Sequence, residues 1–343
     1  MKVAILGSGF IKPVIFENEI KKLISGWQFT AADLPWPGTP RGNDDEIQEY
    51  AGAPDDVIAA AQDADALVTD LAPVNRYVLD RLDGLKFIGV ARGGPVNINV
   101  DAATEKGVLV VNAPGRNGPA VAEYTVGLML DLVRRVQVGA ENLRSGKWQG
   151  DLYSYDTAGF ELARHTVGLV GLGQVGSRVA EILSAFHMRV LVYDPFVDGD
   201  VIKGVGGEAV GFNTLLGESD IVSVHARLTD ETRGMIGRDQ FSAMRQGAYL
   251  INTARSPLID YDALADAVSA GKLAGAAIDV YGSEPPDLNH PLLRAENVLA
   301  LPHVGGATQE SAQRGARMVA VDLKRYFVDG EKPLHCKNPS LLK

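Results

Sequence analysis

Residues 166–194 read TVGLVGLGQVGSRVAEILSAFHMRVLVYD, and the order of parts in this stretch decides the fold. An apolar, β-branched run at 167–170 leads into Gly171-Leu172-Gly173-Gln174-Val175-Gly176. An amphipathic stretch follows, and a second apolar run at 190–193 closes on Asp194. The pattern is strand, glycine turn, helix, strand, acid. Each part has a task in holding a dinucleotide: Gly171 allows the tight turn, Gly173 has no Cβ to block a pyrophosphate, and Gly176 lets the helix pack closely on the strand. Gln174 and Val175 complete the turn, and free N–H groups at the helix start face the phosphate charge. Asp194, about 20 residues on, is placed to accept hydrogen bonds from the adenosine ribose hydroxyls. No Arg or Lys lies between Phe196 and Val201 to receive a 2′-phosphate, which would also face Asp194. NAD is therefore favoured, and NADP less so.

At 343 residues the chain is long for one core, so two domains are expected. Its composition, 46% hydrophobic and 22% charged, is that of a globular protein. The formal net charge is -10 and the pI about 5.1, with no basic run interleaved with aromatics, which argues against nucleic acid. Cys336 is the single cysteine, so no intrachain disulfide and no multi-cysteine metal site is expected. The opening MKVAILGSGF meets glycines after four apolar residues, too short for a signal segment, and no later stretch is long enough to span a bilayer. The expectation is a cytoplasmic protein with no membrane partner.

Outward from the fingerprint, apolar runs recur at 3–6, 29–32, 66–69, 87–91 and 108–111 on one side. On the other side they recur at 221–224, 248–252, 274–278 and 298–301. Helix-length segments separate them, so parallel sheets flanked by helices are expected. Gly7-Ser8-Gly9 looks like a second fingerprint, but Lys12 and Pro13 stand where its third glycine would be. It reads as an ordinary strand-to-helix turn. Residues 34–45 read as a surface loop. Gly118-Pro119 opens a long helix in which Val121, Thr125, Leu128, Leu132 and Val136 share a face, widened by Val126, Met129 and Val133. So wide an arc wants a second surface: a subunit interface, or burial within the chain. Ala312, Ala316, Val319, Leu323 and Tyr326 recur at helical spacing near the end, and the first sheet is the one left uncovered. The fold class expected is α/β, with two Rossmann-like domains. The discontinuous substrate domain, 1–117 plus 305–343, holds the NAD-binding domain, 118–304, as an insert, with hinges near Asn117 and Gly305.

Ligands of open α/β sheets collect at the carboxyl ends of the strands, which singles out Arg255 after 248–252, Asp279 and Glu284 after 274–278, and His303 after 298–301. A base, a carboxylate to keep it poised and a cation for an acidic substrate are what hydride transfer from a secondary alcohol to NAD requires. Ala226, Arg227, Thr253, Ala254 and Gly305 are expected around the cofactor with Asp279 and His303. Among the six histidines, His303 is delivered by an apolar strand with room left by Gly305-Gly306. His225 reads as structural or cofactor-adjacent, His290 as a turn residue, and His165, His187 and His335 have no supporting context. There is no HExxH, carboxylate-rich metal box or GxSxG, so metal and serine-nucleophile chemistry are not expected.

With these residues in place, the sequence resembles the D-isomer-specific 2-hydroxyacid dehydrogenases, the group that includes D-3-phosphoglycerate dehydrogenase, glyoxylate/hydroxypyruvate reductase and formate dehydrogenase. VNAPGRNGPAVAEYTVGLML, VGLVGLGQVGSRVA, INTARSPLIDYDAL, AAIDVYGSEPP and LPHVGGAT are similar to family motifs in the right order. The likeness covers nearly the whole chain and is strongest over 112–308. It implies that Arg255 holds the substrate carboxylate and carbonyl, and that His303 is the general acid/base. Glu284 would bond to His303 and keep it basic, and Asp279 would contact the nicotinamide carboxamide. Formate dehydrogenases have Gln at the position of Glu284, so the resemblance points to a hydroxy-acid/keto-acid interconversion, with a small phosphoglycerate-, glyoxylate/hydroxypyruvate- or sugar-acid-like substrate. The segment ARGGPVNINVD aligns with the loop whose N–H groups bind the substrate carboxylate. Pro95 has no N–H, leaving Gly93, Gly94 and Val96 as donors with Arg92 nearby. Ser256 stands where the family usually has Gly. Arg92 or Arg116 would reach a phosphate or a sugar-acid hydroxyl, or else be solvated or paired with acids. A homodimer through the NAD-binding domain is expected. The chain stops soon after its return helix, so no C-terminal regulatory domain is expected. A reading from another class is a non-catalytic NAD(H)-sensing protein of the same fold.

Overall fold

Short apolar runs become strands when their β-branched side chains are covered on both faces, and every run named above forms a parallel strand. The computed structural model describes residues 1–34 and 42–342. It divides into two compact units, Met1–Asn117 with Ala307–Lys343, and Gly118–Gly306.

The first unit holds β1 (Lys2–Gly7), β2 (Gln28–Asp33), β3 (Ala66–Thr69), β4 (Phe87–Val90) and β5 (Leu109–Val111), in the order β2-β1-β3-β4-β5. One face is packed with Leu67, Ile88, Val90 and Val110 against Val57, Val78 and Ala102. The other carries Val3, Ile5, Val68 and Phe87 against Phe16 and Ile20, and against the helix Gln309–Lys324, which buries Ala312, Ala316, Val319 and Leu323 there. That helix lies close: a Cβ on Gly89 of β4 would come within 2.4 Å of Val319 Cγ1. Near its end, buried Asp322 accepts the Leu334 N–H at 2.7 Å and a hydrogen bond from His335 Nδ1 at 2.9 Å. Asn338 accepts the Val110 N–H at 2.9 Å and donates to Val108 O at 2.9 Å and Thr104 Oγ1 at 3.0 Å. The C-terminal segment is thus stitched along β5.

The second unit holds β6 (Thr166–Val170), β7 (Arg189–Tyr193), β8 (Gly207–Ala209), β9 (Ile221–Val224), β10 (Ala248–Asn252), β11 (Leu273–Ile278) and β12 (Val298–Ala300). Their order is β12-β11-β10-β9-β6-β7-β8, so the direction of winding reverses between β6 and β9, where a dinucleotide crevice opens in such sheets.

Two expectations change. The long helix runs Gly118–Arg134 and breaks at Arg135, whose φ of 55° is left-handed. Val136 therefore leaves the helix face and is 59% exposed. The apolar arc itself is covered within the chain: Val121, Thr125, Val126, Leu128, Met129, Leu132 and Val133 are all buried, most of them in the core under β6. Burial within the chain, the second of the two alternatives, is thus what covers these seven residues. Of the surface loop expected at 34–45, residues 35–41 lie outside the described residues; Gly42, just after them, donates its N–H to Tyr50 O at 2.8 Å.

Candidate functional site

The glycine turn follows β6, and its three glycines meet different surroundings. Gly171 has φ +98°, and a Cβ on it would lie 2.8 Å from Ala226 N, so both conformation and space require glycine. A Cβ on Gly176, the first residue of the helix Gly176–Ala185, would come within 2.3 Å of Gly171 O. At Gly173 nothing of the protein lies within 4 Å of that position. The two outer glycines shape the turn, while the middle one leaves an approach open in front of a helix N-terminus, the cradle a pyrophosphate fits. Gln174 and Val175 stand between, Gln174 O accepting from Arg178. Asp194 follows β7 and ties the turn down: Oδ2 accepts the Leu172 N–H at 2.8 Å and Oδ1 the Phe196 N–H at 2.9 Å. Ala226 and Arg227 follow β9, with Ala226 against Gly171 and Arg227 exposed. His225 lies beneath the turn, its Nε2 3.0 Å from Ser223 Oγ, and burial pushes its pKa down to about 4, so the imidazole is neutral.

The next three strand ends supply the polar groups. After β10, Thr253 is buried with its Oγ1 2.9 Å from Thr125 Oγ1, and the Ala254 N–H bonds Asn252 Oδ1 at 3.1 Å. Arg255 is exposed; its Nη1 donates to Ala254 O at 2.6 Å. After β12, His303 Nδ1 lies 2.7 and 2.8 Å from the two oxygens of Glu284, which follows β11. The carboxylate orients the ring and leaves Nε2 as the nitrogen for other partners. Asp279, only 2% exposed at the end of β11, accepts the Val304 N–H at 2.9 Å and the Gly305 N–H at 2.8 Å. It thus clamps the loop that carries His303, whose own φ is 56°. Gly305 is held tightly: a Cβ there would meet Asp279 Oδ2 and Tyr124 Cδ1, each at 2.9 Å. The sequence pointed to Asp279 through its strand-end position; its grip on the His303 loop had no local signal.

Arg92, Gly93, Gly94 and Val96 belong to the first unit, apart in the chain from the residues above. Arg92 donates to Glu49 O at 3.0 Å and to the Glu49 carboxylate. Asn112 Nδ2 donates to Gly93 O at 2.7 Å. Among the described residues, the N–H groups of Gly93, Gly94 and Val96 donate to no protein atom, so the turn around Pro95 keeps three donors available. Sequence reasoning passed over Ser8 and Asp70, although they follow β1 and β3 and the strand-end rule applies to them equally. Among the described residues no group of three or more His, Cys, Asp or Glu is placed to hold a metal ion. No helix among them is long and apolar enough to cross a membrane.

Residues 126–305 match the family model described as the D-isomer specific 2-hydroxyacid dehydrogenase, NAD binding domain. A D-3-phosphoglycerate dehydrogenase of Archaeoglobus fulgidus is 40% identical over 257 residues, which are 75% of this chain and 48% of that one. The chain thus spans about half the length of the curated relatives of that name it matches. A glyoxylate reductase of Thermofilum pendens is 38% identical over 300 residues, covering 87% of this chain and 88% of the relative. Among solved structures, D-lactate dehydrogenase with NAD+ from Lactobacillus jensenii superposes with a TM-score of 0.80 at 26% identity, over 98% of this chain and 99% of that one.

Proposed function

The chain belongs to the D-isomer specific 2-hydroxyacid dehydrogenase family, and from that membership we propose that it is an NAD-dependent oxidoreductase interconverting a D-2-hydroxy acid and its 2-oxo acid. The observation that carries this reading is the His303–Glu284 pair at 2.7 Å, set at the carboxyl edge of the sheet that holds the glycine cradle. The open approach at Gly173 fits a dinucleotide. Asp194, with no Arg or Lys from 196 to 201, supports NAD over NADP. When bound, the nicotinamide supplies a hydride acceptor and donor at its C4. In the oxidising direction Nε2 of His303 takes the proton of the substrate hydroxyl while the hydrogen on C2 departs as hydride, leaving a carbonyl. Glu284 on Nδ1 balances the charge that the imidazole then carries. The Arg255 fork receives the carboxylate. Asp279 keeps the His303 loop in place. In this reading the second unit holds the cofactor and the acid/base. The first unit receives the substrate through donors of its own, the N–H groups of Gly93, Gly94 and Val96.

The reading extends to a homodimer formed through the second unit, although not through the Gly118–Arg134 helix. The helix Val136–Arg144 has no buried residue, and Leu143, Trp148, Tyr153 and Tyr155 near it are 60%, 86%, 96% and 97% exposed. So many uncovered large apolar side chains support a second copy as their cover.

The test is NADH oxidation with a panel of 2-oxo acids. His303→Gln is expected to abolish turnover and keep NADH binding; Arg255→Ala is expected to raise KM for the oxo acid most. Near-normal turnover of the histidine variant refutes the assignment. A silent panel with tight NADH binding favours an NAD(H) sensor instead.

A further inference from the structure

The first sheet has its own point of reversal, between β1 and β3, and it carries charged groups that the proposed reaction does not use. In a sheet ordered 2-1-3-4-5 the connections leave these two strands toward opposite faces, so a crevice opens at their carboxyl ends. Ser8 follows β1 and Asp70 follows β3, and Ser8 Oγ donates to Asp70 Oδ2 at 2.8 Å. Ser8 Oγ in turn accepts the Phe10 and Ile11 N–H groups at 3.1 and 3.2 Å. Asp70 is 2% exposed, and among the described residues its Oδ1 has no hydrogen-bond partner.

Arg116, from the loop after β5, adds a cation beside this pair. Its Nη1 donates to Ser311 Oγ at 3.0 Å, and its guanidinium stands 5.2 Å from the centre of the Phe10 ring. Asp70 attracts it electrostatically without coming within ion-pair distance. Among the described residues no carboxylate pairs with Arg116, and residues 35–41 contain no Asp or Glu. Arg92, by contrast, is paired with Glu49. Burial lowers the Arg116 pKa to about 10, with Arg92 pushing the same way. A half-buried guanidinium, fixed by a hydroxyl and an aromatic face and with its nearest carboxylate, Asp70, out of ion-pair reach, is held at a desolvation cost that an incoming anion offsets. Its fork matches the oxygens of a carboxylate or a phosphate.

We propose that the β1/β3 crevice is an anion subsite in which Arg116 is the binding group, Ser311 and Phe10 fix its place, and Ser8 ties Phe10 to Asp70 beside it. This rests on the reading of the first unit as the one that receives the substrate. The preferred 2-oxo acid then carries a second acidic group, a carboxylate or a phosphate.

Two measurements test it. The first compares kcat/KM for glyoxylate, with one anionic group, against 2-oxoglutarate and 3-phosphohydroxypyruvate, which bear a second carboxylate and a phosphate. In the wild type one of these two larger oxo acids is preferred over glyoxylate at least tenfold, and which of them it is identifies the second group. Arg116→Gln lowers that preference at least tenfold, and Arg116→Lys, which keeps the charge without the fork, falls between. An unchanged preference in Arg116→Gln overturns the proposal.

The second measurement needs no turnover: inorganic phosphate and succinate are titrated into the full chain without cofactor, following Tm. A saturable rise in the wild type that is absent in Arg116→Gln supports the subsite, and an equal rise in both overturns it. If Arg116→Gln does not fold, a wild type that shows no rise with either anion overturns it as well. A silent 2-oxo acid panel would sink the dehydrogenase reading alone, and the anion titration would still decide the subsite.

Discussion

Replacing Asp279 by Asn exchanges one oxygen for an NH2 group and removes a charge, with almost no change of volume, at a side chain that receives two backbone N–H groups at 2.9 and 2.8 Å. Each such bond to a charged acceptor contributes about 1.5–3 kcal/mol. Asparagine accepts one of the two, now without charge assistance, and turns a donor toward the other, which is left buried and unpaired at a further cost of about 1–3 kcal/mol. Against this stands the backbone of His303, held at φ 56°, which costs a side-chain-bearing residue about 1–2 kcal/mol. With the carboxylate the loop is held firmly; with the amide the two amounts become comparable. The His303 ring then samples positions away from Glu284. Losing about 3 kcal/mol of positioning corresponds to about a hundredfold fall in kcat. Hydrogen exchange over residues 301–306 reads the cause directly, and NADH binding with kcat reads the consequence. Exchange at Val304 and Gly305 as slow as in the wild type would refute the clamp, whatever happened to activity.

Gly173→Ala and Gly176→Ala separate binding from folding. The first adds a methyl where no protein atom stands within 4 Å, so Tm stays within about 1 °C while NADH binding is lost; the second drives a Cβ to 2.3 Å of a backbone oxygen and lowers Tm together with binding. Equal Tm values for the pair would contradict the geometry. Asp70→Asn gives a pH signature. Burial raises the Asp70 pKa from 3.8 to about 6, so the folded state holds this proton more tightly than the unfolded one, and the charge destabilises the fold above that pH. The variant is expected to be more stable by about 2–3 kcal/mol at neutral pH, an advantage that fades as pH falls from about 6 toward 4. Urea titrations across that range would show it, and a pH-independent difference would not fit. Asn338→Ala removes three hydrogen bonds, those to Val110, Val108 and Thr104, and should cost about 2–4 kcal/mol in urea unfolding; a loss under about 0.5 kcal/mol would mean the segment along β5 is not a structural part.

The strands were legible because a fully covered strand needs a run of apolar β-branched residues, and this chain has such a run at nearly every one. β8 is the exception: Gly207–Ala209 reads GEA, lies at the sheet edge and is largely exposed, so nothing in it alternates. The break at Arg135 was not legible either, since arginine carries no preference for a left-handed backbone that would mark it. Arg255, Glu284 and His303 could be singled out as candidates because each follows a strand, and strand ends are visible in sequence. What each side chain grips was another matter. Ser8 meets Asp70 across 62 residues, and Asp279 meets Gly305 across 26. Local periodicity carries no record of which loops share an edge, so the Asp279 clamp and the crevice beside Arg116 emerged only from the folded arrangement.

The stitching of the C-terminal segment along β5 bears on how the molecule is made. Residues 118–306 are contiguous, so every strand of that sheet is synthesised before the helix that covers the other sheet. Until residue 338 is released, the opening 117 residues wait with Phe87 and Val68 covered only in part, by Phe16 and Ile20, and with β5 lacking its border. That interval is the one in which nascent chains of this protein would be most exposed to aggregation, and a chaperone acting during synthesis would find its substrate at the beginning of the polypeptide rather than at its end.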